Sequence, residues 1–94
     1  MNSEWDPAKA ESNLEKHKIN FWDAITVFVD PAHFDVNVTK PEYGETRYIA
    51  IGSMTNGRMA AVVYTDRDNK RRIISARNAR KNEQKDYDQR KATS

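Results

Sequence analysis

The spacing of apolar residues changes once along this chain, at Asp30-Pro31, and that change limits the possible folds more than any other feature. Before this point apolar residues recur every three or four positions, as on one face of a helix. After it they alternate with polar residues at a period of two, as in strands. Helices and strands that are segregated along a chain predict an α+β domain.

Two helices are predicted before the change. Asp6 can accept the free N–H groups of a first turn that begins at Pro7, and this helix should run to about His17. Its buried face should comprise Ala10, Leu14 and His17. Asn20 caps a second helix, which ends at Asp30-Pro31 because proline disfavours helical geometry in the preceding residue. The buried face of the second helix should comprise Phe21, Ala24, Ile25 and Phe28.

Four strands and one further helix are predicted after Pro31. The strands are Phe34–Val38, Arg47–Ile51, Met59–Thr65 and Arg71–Ser75. The middle two are joined through Asn56-Gly57, a pair that tolerates the positive φ angles of tight turns. Residues from Arg77 to about Arg90 are good helix formers. The predicted fold is therefore α+β, with two N-terminal helices, a four-stranded antiparallel sheet and a C-terminal helix.

Charge is distributed unevenly between the two halves of the chain. Residues 58–94 contain eleven Lys/Arg and five Asp/Glu, whereas residues 1–57 contain five Lys/Arg and nine Asp/Glu. A strongly positive region raises the local concentration of a polyanion. Nucleic acid is therefore the first partner to consider.

Length and residue usage narrow the class of protein further. A chain of 94 residues has room for one domain, spanning residues 1–94. There is no cysteine, and His17 and His33 are not at metal-ligand spacing, so no disulfide, metal site or cofactor is predicted. The longest apolar run, Met59 to Tyr64, is far too short to span a bilayer, and no signal sequence is evident. We expect a cytoplasmic protein that does not bind membranes.

Short sequence strings in a specific order and spacing extend over about residues 3–88. In the first half they are Glu4-Trp5-Asp6-Pro7-Ala8-Lys9-Ala10, Asn13, Lys16-His17 and Val27-Phe28-Val29-Asp30-Pro31. In the second half they are Glu45-Thr46-Arg47-Tyr48, Ile51-Gly52, Gly57-Arg58, Val62-Val63-Tyr64-Thr65, Arg72-Ile73-Ile74-Ser75-Ala76-Arg77, Ala79, Glu83 and Tyr87. Together they resemble the BrnT family of bacterial toxins, whose antitoxin partner is BrnA.

The resemblance implies a RelE-like ribonuclease fold, RNA as the substrate, and a hetero-oligomer with a BrnA-type antitoxin. In such pairs the antitoxin supplies the DNA-binding domain, so operator DNA would be contacted only through the antitoxin. One position departs from the family pattern: Lys18 stands where a glycine usually closes the first helix. Lysine can adopt that left-handed geometry at a cost of about 1 kcal/mol.

Arginines on predicted strands are the candidate phosphate ligands. Guanidinium pairs bidentately with phosphate oxygens and stays charged. We expect Arg58, Arg67 and Arg77 to form a phosphate cradle, and the resemblance strengthens this for Arg77. Further RNA contacts are predicted for Arg47, Arg72 and Lys81. The alternative is that these cations only keep the sheet soluble and block pairing at its edges.

Three residues are candidates for proton transfer. His17 is a candidate because histidine suits acid–base chemistry near neutral pH, although it also suits the C-terminal end of a helix. Glu45 could act as a base or only form a salt bridge with an arginine. Tyr87 could contact RNA or anchor the last helix. Glu83 is expected to pair with an arginine.

The leading hypothesis is a toxin that cleaves RNA by 2′-hydroxyl attack without a metal ion, leaves a 2′,3′-cyclic phosphate and so inhibits translation. The alternatives are a non-catalytic nucleic-acid-binding module and a module that binds an acidic partner protein. The same charge distribution would serve each of them.

Overall fold

The computed structural model describes residues 2–93 and shows an α+β architecture. In chain order the strands and helices are β1 Asn2–Trp5, α1 Pro7–His17, α2 Phe21–Ala24, β2 Phe34–Asn37, β3 Tyr48–Ser53, β4 Met59–Arg67, β5 Lys70–Asn78 and α3 Lys81–Thr93. Short 3₁₀ segments occupy Ile25–Val29 and Pro41–Tyr43. No helix of residues 2–93 is long and apolar enough to cross a membrane.

The sheet has five strands in the order β1-β5-β4-β3-β2, so the prediction of a four-stranded antiparallel sheet is wrong. The additional strand, β1, pairs parallel with β5, whereas the other neighbours are antiparallel. Its sequence is Asn-Ser-Glu-Trp, too short and polar to show an alternating pattern. Contacts with distant residues hold it in place: Glu4 accepts a hydrogen bond from Arg72 at 2.9 Å, and Trp5 packs edge-on against Phe21.

The two faces of the sheet are covered unequally. The face that packs against α1 and α2, called the helix face below, carries the main core. This core consists of Ile19, Phe21, Ala24, Val27, Ala50, Met54, Ala60, Val62, Tyr64, Ile73 and Ala76. The other side, called the open face, has a smaller cluster in which Tyr87 of α3 covers Phe34, Ile51 and Ala61. The rest of the open face is left for the site described below.

Helix α1 is capped as predicted and Ala10 packs against the main core as predicted, but Leu14 does not. Asp6 Oδ1 accepts a hydrogen bond from the Ala8 N–H at 2.9 Å, and Lys18 closes the helix with φ 59°. Leu14, predicted to be buried, is 47% exposed, whereas Asn13 is only 6% exposed. The Asn13 amide bonds to the backbone of Ala76 in β5, donating at 2.9 Å and accepting at 3.0 Å. An apolar pattern could not reveal this, because the buried residue is polar and its partner is a strand edge.

The second predicted helix is regular for only one turn. The Asn20 side chain caps α2 by accepting from the Asp23 N–H at 2.8 Å, as predicted. From Ile25 the chain tightens into the 3₁₀ segment, which places Val27 in the core and leaves Ile25 and Phe28 half-buried. Consecutive β-branched residues at 25–27 lower the helix propensity of this stretch.

The last helix begins later than predicted. Arg77 belongs to β5, and α3 starts at Lys81. Glu83 fixes this start, because its Oε1 accepts a hydrogen bond from the Arg80 N–H at 2.8 Å, as in a capping box. Tyr87 is 5% exposed and attaches the helix to the open face.

Candidate functional site

Strand register brings basic and apolar side chains together on the open face. Because side chains alternate between the faces of a sheet, the residues opposite Ile51, Ile49 and Thr65 fall in three successive rows. The row nearest α3 contains Phe34, Ile51, Ala61 and Arg77; the middle row contains Val36, Ile49, Val63 and Ser75; the far row contains Thr65, Arg72 and Glu4. The result is a partly apolar floor with arginines at both ends.

Arg77 is held rigidly at the α3 end of the floor. Its two terminal nitrogens donate to the two carboxylate oxygens of Glu83, at 2.8 and 3.0 Å. This hydrogen-bonded pair lowers the pKa of Glu83 and raises the pKa of Arg77. Glu83 is therefore ionised and Arg77 charged, as the expected Glu83–arginine pair requires. The pairing fixes the plane of the guanidinium and leaves its remaining N–H groups for another anion.

Arg58 lies at the same end of the sheet as Arg77, but it contacts the side chain of Asn78, the residue opposite Ala60 of the main core. Arg58 donates to Asn78 Oδ1 at 2.7 Å and to the Lys18 carbonyl at 3.3 Å. Arg77 donates to the Asn78 carbonyl at 3.3 Å. Two of the three arginines of the predicted cradle thus lie at this end of the sheet, with their side chains on different faces.

Arg67 is not part of this group, so the expectation that all three arginines converge is wrong. Arg58 immediately precedes the nine-residue strand β4 and Arg67 ends it. At about 3.3 Å per residue the two are roughly 30 Å apart. Arg67 also lies six residues beyond Ala61, the partner of Arg77, which is about 20 Å along the strand. The sequence shows that these arginines are on strands but not that they sit at opposite ends.

A second cluster surrounds Glu45 at the far end. Its carboxylate accepts hydrogen bonds from Arg47 at 3.0 Å and from Arg67 at 3.1 Å. These arginines, Arg47 foremost, lower the pKa of Glu45. The Arg47 guanidinium also stacks on the Tyr43 ring at 4.0 Å. The salt-bridge interpretation of Glu45 therefore matches its contacts.

The remaining predicted RNA ligands, Arg72 and Lys81, are separated from each other. The Arg72 guanidinium is 2.9 Å from the carboxylate of Glu4, which lies on β1. Lys81 is exposed as the first residue of α3, close in sequence to Arg77. Only Lys81 thus belongs to the α3 end.

Tyr87 occupies the position of an anchor. Its hydroxyl donates to Asp30 Oδ2 at 2.7 Å, and the same oxygen accepts from the Ser53 N–H at 2.8 Å. Burial, together with the bond to Asp30, raises the pKa of Tyr87 to about 12. The sequence marks Asp30 only as the end of a helix and as part of a short string, whereas in the structure it joins the loop before β2 to both β3 and α3. No local pattern indicates that link, since its partners lie 23 and 57 residues away.

His17 lies outside the open face, in the last turn of α1. It lines a groove between α1 and β5 together with Ser75, which is two residues before Arg77. Within residues 2–93 its ring makes no hydrogen bond or ion pair with another side chain. Of the three proton-transfer candidates, only His17 has its polar atoms available near the Arg58–Arg77 end.

Acidic and histidine side chains do not gather elsewhere in a way that suits a metal. In the described part of the chain, no group of three or more His, Cys, Asp or Glu side chains could hold a metal ion. The arginines described above are held by carboxylates and backbone carbonyls.

Comparisons with known proteins give a family and a fold. A family model described as "Ribonuclease toxin, BrnT, of type II toxin-antitoxin system" matches residues 5–83. Among solved structures, the chain is similar to the Brucella abortus ribonuclease toxin BrnT, with a TM-score of 0.66 and 24% identity over 86% of this chain and 100% of that chain. At that identity the structural likeness shows a common fold. No curated protein sequence matches the chain.

Proposed function

Because this chain belongs to the BrnT family of ribonuclease toxins from type II toxin–antitoxin systems, we propose that it is an endoribonuclease that cleaves RNA without a metal ion and thereby inhibits translation. We place the reaction at the α3 end of the open face, within a single domain spanning residues 1–94. The observation that carries this proposal is the bidentate Arg77–Glu83 pair, which fixes one guanidinium group at the end of the floor, with Arg58 at the same end of the sheet.

The proposed reaction is an internal displacement at phosphorus. The ribose 2′-hydroxyl loses its proton and its oxygen bonds to the neighbouring phosphorus. The bond from phosphorus to the 5′-oxygen breaks, and that oxygen takes up a proton. The products are a 2′,3′-cyclic phosphate and a free 5′-hydroxyl. Negative charge builds up on the phosphoryl oxygens between these steps, where guanidinium groups stabilise it most.

The side chains divide naturally between charge stabilisation and proton transfer. Arg77 and Arg58 contact the phosphate, and Glu83 positions Arg77. We assign proton transfer to His17, because Glu45 is about 20 Å from Arg77 and the Tyr87 hydroxyl is bonded to Asp30. The Glu45 cluster, with Arg47 and Arg67, holds the RNA backbone further along the strand.

Cleavage of RNA in EDTA tests the proposal. Wild type, Arg77→Ala, Arg77→Lys and Arg67→Ala are incubated with structured and unstructured RNA, with and without ribosomes, and the new ends are identified. Arg77→Ala should lose about 10²- to 10³-fold in rate, as for removal of a donor to a developing oxyanion. Arg77→Lys should recover only part of it, because lysine cannot pair bidentately. Arg67→Ala is the matched control. Its rate should fall by less than about tenfold, because Arg67 would contact only RNA backbone that is far from the cleaved bond.

Three results would contradict the proposal. Equal rates for wild type and Arg77→Ala would remove that residue from the site. Cleavage that EDTA abolishes would remove the metal-free mechanism. RNA that stays intact while binding tightly in a salt-dependent way would favour the alternative of a nucleic-acid-binding module.

A type II system implies a protein antitoxin, and we propose that it is of the BrnA type and contacts operator DNA itself. Its docking surface would be the apolar stripe beside the outer edge of β1. Trp22 is 73% exposed there and Val29 76% exposed, with half-buried Ile25 between them at helical spacing. Among residues 2–93 no strand pairs with that edge, so it can accept an added strand. Trp22→Ser should weaken antitoxin binding in calorimetry, whereas Leu14→Ser, at an exposed site on α1, should not.

A further inference from the structure

A groove between α1 and β5 lies outside the open face and has a chemistry of its own. It encloses a volume of ≈ 330 Å³. The side chains that matter here are Lys9, Ser12, Lys16, His17 and Ser75. Its existence follows from the sheet: β1 pairs only with Lys70 to Ile73, so the rest of the outer edge of β5 faces α1.

The Asn13 side chain holds the two walls of the groove together. It occupies the place of a neighbouring strand by donating to the Ala76 carbonyl and accepting from the Ala76 N–H. A third bond, to the Ile19 carbonyl at 3.0 Å, ties the end of α1 to the same point. The groove is therefore a built feature of the fold, with fixed walls.

Charge on α1 is sorted around the helix. At about 100° per residue, Lys9 and Lys16 lie within about 60° of Asn13 and Ser12 about 100° from it, whereas Glu11 and Glu15 point away from β5. Among residues 2–93 neither Lys9 nor Lys16 forms an ion pair. The groove is thus basic even though residues 1–57 carry an excess of acidic residues.

The groove is continuous with the open face through Ser75. Ser75 lies opposite Val63 in the middle row of the floor and also lines the groove. It is two residues from Arg77, or roughly 7 Å along β5. An extended RNA strand with one phosphate at Arg77 can therefore cross the edge of β5 and place following phosphates between Lys9 and Lys16.

We infer that the α1–β5 groove binds the phosphodiester backbone of single-stranded RNA next to the cleaved nucleotide. The ligand class follows from unpaired ammonium groups and hydroxyls without a Phe, Tyr or Trp ring, which suits phosphate and sugar rather than bases. The inference rests on the proposed function, since it requires RNA on the open face. It adds a second contact region on the half of the chain with the opposite net charge.

Salt dependence of RNA binding tests the groove. Binding of an unstructured 12-nucleotide RNA is measured from low to moderate salt for wild type, for Lys9→Gln with Lys16→Gln, and for the matched control Lys40→Gln with Lys85→Gln. Each phosphate contact to single-stranded RNA adds about 0.7 to the slope of log K against log salt. We expect the groove pair to lower the slope by about 1.4 and the control pair to leave it at the wild-type value. In the wild type, photocrosslinking from 4-thiouridine next to the cleaved nucleotide should label the peptide that contains residues 9–17.

The outcomes separate the two proposals. If the wild type neither binds nor cleaves RNA, the proposed function fails and this inference fails with it. If the wild type binds RNA while the groove pair keeps the full slope, or lowers it no more than the control pair, the groove is not an RNA site. The substituted lysines are exposed, so both double variants should unfold at the same temperature as the wild type. Lys16→Glu provides a second variant, and it should make the loss of RNA affinity larger.

Discussion

Replacing Asn13 by alanine should destabilise the protein far more than replacing Leu14 beside it. Asn13 is buried and makes three hydrogen bonds of 2.9–3.0 Å to main-chain groups of Ile19 and Ala76. Alanine removes all three bonds and leaves two carbonyls and one N–H without partners at a site that is 6% exposed in the native protein. Leu14 is 47% exposed, so truncating it opens no enclosed cavity.

The expected magnitudes differ several-fold. A buried polar group that loses its partner costs about 1–3 kcal/mol. For three groups, with some relaxation and water entry, we expect Asn13→Ala to lower the free energy of unfolding by about 3 kcal/mol or more, out of a total of about 5–15 kcal/mol. At about 4 °C or more per kcal/mol this lowers Tm by at least about 12 °C. Leu14→Ala should cost about 1 kcal/mol or less, since only part of its apolar surface is buried.

Urea unfolding followed by circular dichroism gives both free energies under one set of conditions. Asn13→Asp serves as a near-isosteric variant: it can still accept from the Ala76 N–H but cannot donate to the two carbonyls, so it should be at least as unstable as Asn13→Ala. The reasoning is refuted if Asn13→Ala loses less than Leu14→Ala. That result would mean that the apolar pattern of α1, and not the link to the edge of β5, decides which face of the helix is buried.

Three further changes test other contacts. Tyr87→Phe removes the hydroxyl bonded to Asp30 and should cost about 1–2 kcal/mol in urea unfolding while RNA cleavage keeps its wild-type rate; a large loss of cleavage would restore a catalytic role. Glu83 has a lowered pKa in the folded state, so its contribution to stability is complete above the ordinary value of about 4.3 and is lost as pH falls through the lower folded value. Glu83→Gln weakens the pair with Arg77. The difference in free energy of unfolding between the wild type and this variant should therefore be larger at pH 7 than at pH 3, and equal differences would contradict this. Gly52→Ala would place a Cβ 2.8 Å from a side-chain carbon of the loop before β2 and should lower stability by about 1–3 kcal/mol in a thermal scan, and an unchanged Tm would disprove that close approach.

Local signals in the sequence were sufficient for most of the elements. Helix ends depend on neighbours within a few positions. The structure has the predicted caps at Asp6 and Asn20 and the predicted left-handed residue at Lys18. The predicted strand ranges overlap β2 to β5, of which β4 begins with a run of six apolar residues. The α+β class and the BrnT family were likewise predicted from the sequence, the family from the order of its short motifs.

The composition of the site depended on contacts between residues far apart in sequence. Glu4 and Arg72, which join β1 to the sheet, are 68 residues apart, and Asn13 and Ala76 are 63 apart. A periodic pattern shows which side chains share a face of one element, but it does not show which elements are neighbours or which end of a strand a residue occupies. Arg58, Arg67 and Arg77 illustrate this limit, since all three were recognised as strand arginines and only two of them lie at the same end of the sheet.

The sequence by itself therefore determined the elements, the class of fold and the kind of chemistry, because helix caps, alternation and charge are local properties of the chain. The tertiary structure alone decided where the positive charge is concentrated. It placed α1 against the free edge of β5 through a buried asparagine, and so turned lysines of the acidic half toward the same end of the sheet as Arg77. Packing of distant segments sets that arrangement, and no local pattern in the sequence encodes it.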